Sequence, residues 1–191
     1  AWPEAAVELD KALKVFDKTD NLQPQSYTCA YRALTALLQV RAGDPSAAAI
    51  ALTAAERTLK LADEWQQEVG LPNARDYVRV HWVLGAAHRV DAHLAKSDTH
   101  LSDALTRCRI INMVAHEADI LLDLARLRAD QSQPKDALRL ADEALAITDR
   151  SGYVLQGADV RLFLAQQALT RGNEAQALDH ARQARQLARC D

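Results

Sequence analysis

The side chains best equipped for chemistry here are histidines, carboxylates and cysteines, and their spacing decides what they could do. In "HEADILLDLARL" (His116 to Leu127) a His sits beside Glu117, with Asp119 close behind, at the start of an apolar run. A metalloprotease helix needs two histidines at i and i+4, so that both imidazoles face one metal. Here the second place is Ile120, and the pattern fails. His81, His88, His93 and His100 crowd into 20 residues, but none forms an i,i+4 pair and no cysteine lies close, so no metal ligand is assigned. Cys29, Cys108 and Cys190 are odd in number, widely separated and without a CxxC pair. That pattern fits free thiols in a reducing compartment better than a disulfide framework or zinc site. There is no nucleophile elbow and no GxxxxGK[ST] phosphate loop. No catalytic residue, cofactor or enzymatic activity is expected.

The elements that hold these residues are written in the composition. Of 191 residues, 49% are hydrophobic but only 5% aromatic, with six glycines and five prolines. Alanine supplies much of the apolar share, and alanine is a strong helix former, so an all-α chain is expected. A net charge of −3 and a pI near 6.1 argue against a nucleic-acid or acidic-membrane partner. No apolar run approaches the roughly 18 residues of a membrane span. The start "AWPEAAVELD" lacks the basic and apolar regions of a signal peptide. A cytoplasmic location is expected.

The chain repeats itself. "EADILLDLARLRADQSQPKDALRLADEAL" (from Glu117) lies over "GADVRLFLAQQALTRGNEAQALDHARQAR" (from Gly157) at an offset of 40 without a gap. Small residues coincide at Ala125 and Ala165, Ala137 and Ala177, and Ala144 and Ala184. Gly85, Ser97 and Ala104 take the same places 40 residues upstream; Ala36, Ala48 and Ala55 do so a further 49 upstream. Ala5, Leu9 and Ala12 echo the second half of the unit once more. Each unit reads as two amphipathic helices joined by a turn, marked by "AGDPS" (42–46), "DQSQP" (130–134) and "TRGNE" (170–174). "VDAHL" (90–94) carries no Gly or Pro. Asn112 and Gly152 fall at equivalent helix ends, where a left-handed residue is expected. Helices crossing closely at fixed points need Gly, Ala or Ser there, because larger side chains hold the backbones apart.

That spacing of small residues resembles the tetratricopeptide repeat. "HWVLGAAH" (81–88) is similar to its first-helix signature, with Leu84 and Gly85 in place and Trp82 one residue late; "PKDALRLADEAL" and "NEAQALDHARQA" are similar to its second helix. The resemblance implies an α-solenoid of antiparallel helix pairs wound into a right-handed superhelix. The unit of 40 exceeds the usual length of about 34. One array is expected over 1–191: a lone second helix at 1–20, then repeats at 27–69, 76–112, 116–150 and 156–190. Starting mid-unit implies a piece of a longer protein. The insertion "ADEWQQEVGLPNARD" (62–76) is expected to lengthen one second helix to about Val69, carrying Trp65. The stretches "LSDALTRCRIINMVAHEADILLDLARLR" and "ADEALAITDRSGYVLQGADVRLFLAQQAL", with the ending "ARQLARCD", resemble the C-terminal arrays of bacterial signal-transduction ATPases of the NB-ARC or NACHT type (STAND proteins). In that family the array is a sensor or regulatory arm, which implies an upstream nucleotide-binding domain as a partner in the same chain. The alternatives are a stand-alone adaptor or co-chaperone scaffold, and a helical domain binding a metal or small molecule through the His81–His100 region.

In this repeat class the first helices line a concave groove that takes a protein or peptide ligand. The places that face it are Arg79, Trp82, Ala86 and Arg89; then Asp119, Leu122, Arg126 and Ala129; then Asp159, Leu162, Gln166 and Leu169. An aromatic flanked by arginines has the composition of a binding hot spot. Arg79, Arg89 and Arg126 could clamp a carboxylate or acidic motif. Equally, they could pair with Asp119 and Asp159. Those two acids are expected in the first turn of a helix, where the helix dipole favours them by about 0.3–1 kcal/mol.

Overall fold

The computed structural model describes residues 2–19, 21–70 and 73–189; Cys190 lies outside them. Within them are α1 (Trp2–Phe16), α2 (Leu22–Arg41), α3 (Ala47–Val69), α4 (Ala74–Val90), α5 (Leu94–Ile110), α6 (Val114–Asp130), α7 (Pro134–Ser151), α8 (Val154–Thr170) and α9 (Glu174–Leu187). The architecture is all-α. The helices fall into two compact units, one ending at Ile111 and one beginning at Asn112. In the first, α1 packs on α2, α2 on α3 and α4, α3 on α4, and α4 on α5. In the second, α6 packs on α7 and α8, α7 on α8, and α8 on α9. Within each unit the first helices therefore touch one another, α2 with α4 and α6 with α8, while α3 and α7 each pack on the helix before and the helix after. This packing is that of a helical repeat.

Local chemistry places the helix ends. Asn73 opens α4 by accepting the Arg75 N–H at 3.2 Å, and Asn173 opens α9 by accepting the Gln176 N–H at 3.1 Å. Pro134 occupies the first turn of α7, where its missing N–H costs nothing. α3 runs on to Val69 before Gly70 ends it in the left-handed conformation. Trp65, on that extension, is half-buried. The turns inside the pairs share one device: Gly43, Ala92, Ser132 and Gly172, equivalent in the repeat, all have positive φ, at 101°, 60°, 59° and 74°. Ala92 and Ser132 adopt it at a steric cost that glycine avoids.

The small residues are the seams. Ala36, Ala55, Ser97, Ala104, Ala125, Ala137 and Ala144 are fully buried. A Cβ on Gly85 would lie 2.5 Å from Leu101 Cγ and 2.9 Å from the Leu101 backbone nitrogen, so α4 and α5 meet backbone to side chain. Two seams lie one residue from their expected places: Ala47, not Ala48, is buried at the start of α3, and Ala6, not Ala5, is buried in α1.

Candidate functional site

In the second unit, residues 119, 123 and 126 fall four and three apart on α6 and so share a face, turned toward α8. Arg126 sits between two carboxylates: its Nη1 donates to Asp123 of its own helix at 2.7 Å and its Nη2 to Asp159 of α8 at 2.9 Å. Its side chain is only 13% exposed. Burial works against the Arg126 charge, but Asp123 and Asp159 outweigh it and raise the guanidinium above its ordinary range. Asp119 completes the group. Burial first, then the Asp123 and Asp159 charges, push its carboxyl up to about 7, against Arg126 and a hydrogen bond from Gln156. The cluster thus carries one cation against three carboxylates, and its third acid gains or loses its proton near neutrality. The first-turn reading of these acids is corrected: α6 begins at Val114 and α8 at Val154, so His116 is helical, and Asp119 and Asp159 lie beyond the first turn, facing Arg126 rather than the helix end.

Beside this cluster α8 presents an apolar stripe. Leu155, Leu162 and Leu169, seven residues apart, are 70%, 52% and 60% exposed, and Gln166 is exposed among them. Leu122, expected in the groove, is buried in the core instead. Ala129 is half-buried.

In the first unit Arg79 is held at the α2–α4 seam. Its Nη1 donates to the buried Asp76 at 3.2 Å, and its guanidinium lies 4.5 Å from the centre of the Tyr27 ring. Trp82 and Arg89 are half-buried on α4, and Ala86 is buried. Arg79 and Arg126 therefore each have an internal carboxylate, the pairing that the sequence left open; the acid that holds Arg79 is Asp76.

The four histidines that crowd into 20 residues of the sequence do come together, though not through i,i+4 pairs. His81 and His100 stack across the α4–α5 pair with ring centres 5.3 Å apart and their Nδ1 atoms 3.0 Å apart. That separation requires a proton between the two nitrogens. His81 Nε2 lies 3.1 Å from Asp103, which also accepts from Arg107 at 2.8 Å. His88 stacks on the other side of His100 at 5.5 Å, and His93 meets His88 edge-on at 5.9 Å. Burial is the main cause that lowers all three of His81, His88 and His100; Asp103 opposes it at His81 and His100. Looking for i,i+4 pairs within one helix could not find this group, because His100 comes from the partner helix. Among the described residues no three His, Cys, Asp or Glu side chains are arranged to hold a metal. Cys29 and Cys108 are buried, and burial raises the Cys29 thiol. No described helix is long and apolar enough to cross a membrane.

No family model matches the chain, and no curated protein matches it. Among solved structures it is similar to BtubC (BKLC) from P. vanneervenii, with a TM-score of 0.65, 15% identity, and 98% of this chain covering 74% of that one. It also aligns with a DHF58 filament at a TM-score of 0.32 and 22% identity, over 97% of this chain and 92% of that one; nothing is argued from a score that low. The first likeness speaks to fold alone.

Proposed function

We propose that this chain is a non-catalytic recognition module of tetratricopeptide-like helical pairs in a right-handed array, which captures a protein or peptide segment and serves as the sensor or regulatory arm of a larger bacterial signalling ATPase. The resemblance of residues 101–128 and 141–169 to the arrays of that family supports the regulatory role. The α6–α8 face carries the recognition reading: exposed leucines lie beside a group of three carboxylates around one buried arginine. Because Arg126 already has two carboxylate partners, the charge this face offers to a ligand is negative. The partner segment is therefore apolar and basic, not the acidic motif that three free arginines would select.

The test is anisotropy titration of labelled peptides that share a leucine pattern and differ only in Lys or Glu at the polar positions. The basic peptide should bind more tightly, and Leu162→Asp should weaken it about tenfold, the effect of losing one well-buried apolar anchor. Preference for the acidic peptide by the folded protein would refute the reading.

A further inference from the structure

Two histidines of the first unit stand where the other repeats carry different residues. His81 on α4 and His100 on α5 correspond to Leu121 on α6 and Leu140 on α7, both buried, and to Arg161 and His180 on α8 and α9. Only the α4–α5 pair has an imidazole at both places. Where α6 and α7 bury two leucines, which no pH alters, α4 and α5 bring together two groups that titrate.

The hydrogen bonds assign the protons. A carboxylate only accepts, so His81 Nε2, 3.1 Å from Asp103, carries a hydrogen. In neutral His81 the Nδ1 is then bare, and it accepts from the Nδ1–H of His100 at 3.0 Å. This bond ties α5 to α4. It survives one added proton, because a cationic ring on one side still donates to a bare nitrogen on the other. A second proton leaves N–H facing N–H and two positive charges at that distance, so the bond fails. The two rings therefore titrate as a unit.

The neighbouring groups set the balance. Burial is the main cause that keeps charge off His81; Asp103 of α5 and Asp63 of α3 oppose it, and Arg107 of α5 adds to it. Burial, with Lys96 of α5, likewise keeps charge off His100 against Asp103. His88 of α4 lies 5.5 Å from His100. Burial first, then His100, Lys96 and His93, resist its charge, against Glu56 of α3. The Tyr77 ring of α4 lies 6.2 Å from His81 and brings no charge. Asp103 is the carboxylate that acts on both linked rings, and it can steady one positive charge but not two.

We propose that the bond between His81 and His100 is a latch that acid releases. α5 stays closed on α4 while one of the two facing nitrogens is bare, and it opens locally when both rings are protonated. The second unit has Leu121 and Leu140 at these places, so α6 and α7 stay closed through the same change. The latch does not depend on the recognition reading above.

Hydrogen exchange of the full chain at pH 7, 6 and 5, followed by mass spectrometry, tests this on α5 and α7. The chemical exchange rate changes alike for both helices, so the ratio of α5 to α7 exchange isolates the opening. That ratio should rise about tenfold between pH 7 and 5, the change produced by uptake of about one proton across one pH unit. His81→Leu combined with His100→Leu copies the residues of the second unit and should hold the ratio constant. If that protein fails to fold, His100→Gln serves in its place: the amide can donate or accept, so the bond outlasts protonation of His81. A ratio that stays constant in the wild type, as it would if acid unfolded both helices together, would overturn the proposal. So would a rise that persists in either folded variant.

Discussion

Asp119→Asn should stabilise the protein in alkaline solution and hardly at all in acid. The unfolded carboxyl loses its proton near its ordinary 3.8, whereas burial and the neighbouring Asp123 and Asp159 hold it in the folded chain up to about 7. Folding therefore takes up a proton between these values. The stability that Asp119 contributes is complete below 3.8 and is lost as pH rises through 7. In a wholly dry site a rise of that size would be worth about 4 kcal/mol. Asp119 keeps part of its surface in water, which screens the effect, so about 2 kcal/mol is expected at pH 8. Asparagine keeps an oxygen for Gln156 and cannot ionise. Urea unfolding of wild type and variant at pH 5, 6, 7 and 8 measures the difference; contributions common to both proteins, including the histidines, cancel. The gap should widen steadily with pH and level off near 8. A gap that stays constant, or that favours wild type at high pH, refutes the assignment of a raised Asp119. A basic peptide on this face would favour ionised Asp119, so its affinity should also rise between pH 6 and 8 and lose that rise in the variant.

Gly85→Ala should destabilise by about 1–2 kcal/mol in urea titration: overpacking against Leu101 costs about 1–3 kcal/mol, and better helix propensity returns up to about 1. A stabilised Gly85→Ala protein would contradict the close approach. Ala92→Gly should gain about 0.5–1 kcal/mol, because φ of 60° strains alanine more than glycine's freedom costs in the unfolded chain; a lower melting temperature would count against the left-handed turn. His81, His88 and His100 are lowered from an unfolded 6.5, so the unfolded chain binds more protons and the stability they contribute is lost as pH falls through 6.5 toward their folded values. Groups that face them include Glu56 and Asp63 from α3, and Lys96, Asp103 and Arg107 from α5. His100→Gln should flatten that acid loss, read as the wild-type minus variant melting temperature between pH 7 and 5; an unchanged slope would rule the histidine stack out as its source.

The all-α class, the helix pairs and most seams were legible in the sequence because they rest on local rules. Helix periodicity, the turn signals between helices, and small residues recurring at an offset of 40 act within a pair or its neighbour. The failures mark where local rules stop. The buried seam residues in α1 and α3 are Ala6 and Ala47, each one position from the Ala5 and Ala48 that the offset selects. Asp119 falls beyond the first turn because α6 starts at Val114, two residues ahead of His116. Leu122 shares the periodicity of a surface place yet is buried, since burial depends on what covers a helix and not on its own pattern. The charge of the site lay beyond sequence reading for the same reason. Whether Arg126 would meet a ligand or an internal acid was settled by Asp159, 33 residues away on another helix, and the histidine stack joins His81 to His100 across a turn. Spacing along the chain selects which residues share a helix face; only the approach of a second helix decides which of them are already answered for.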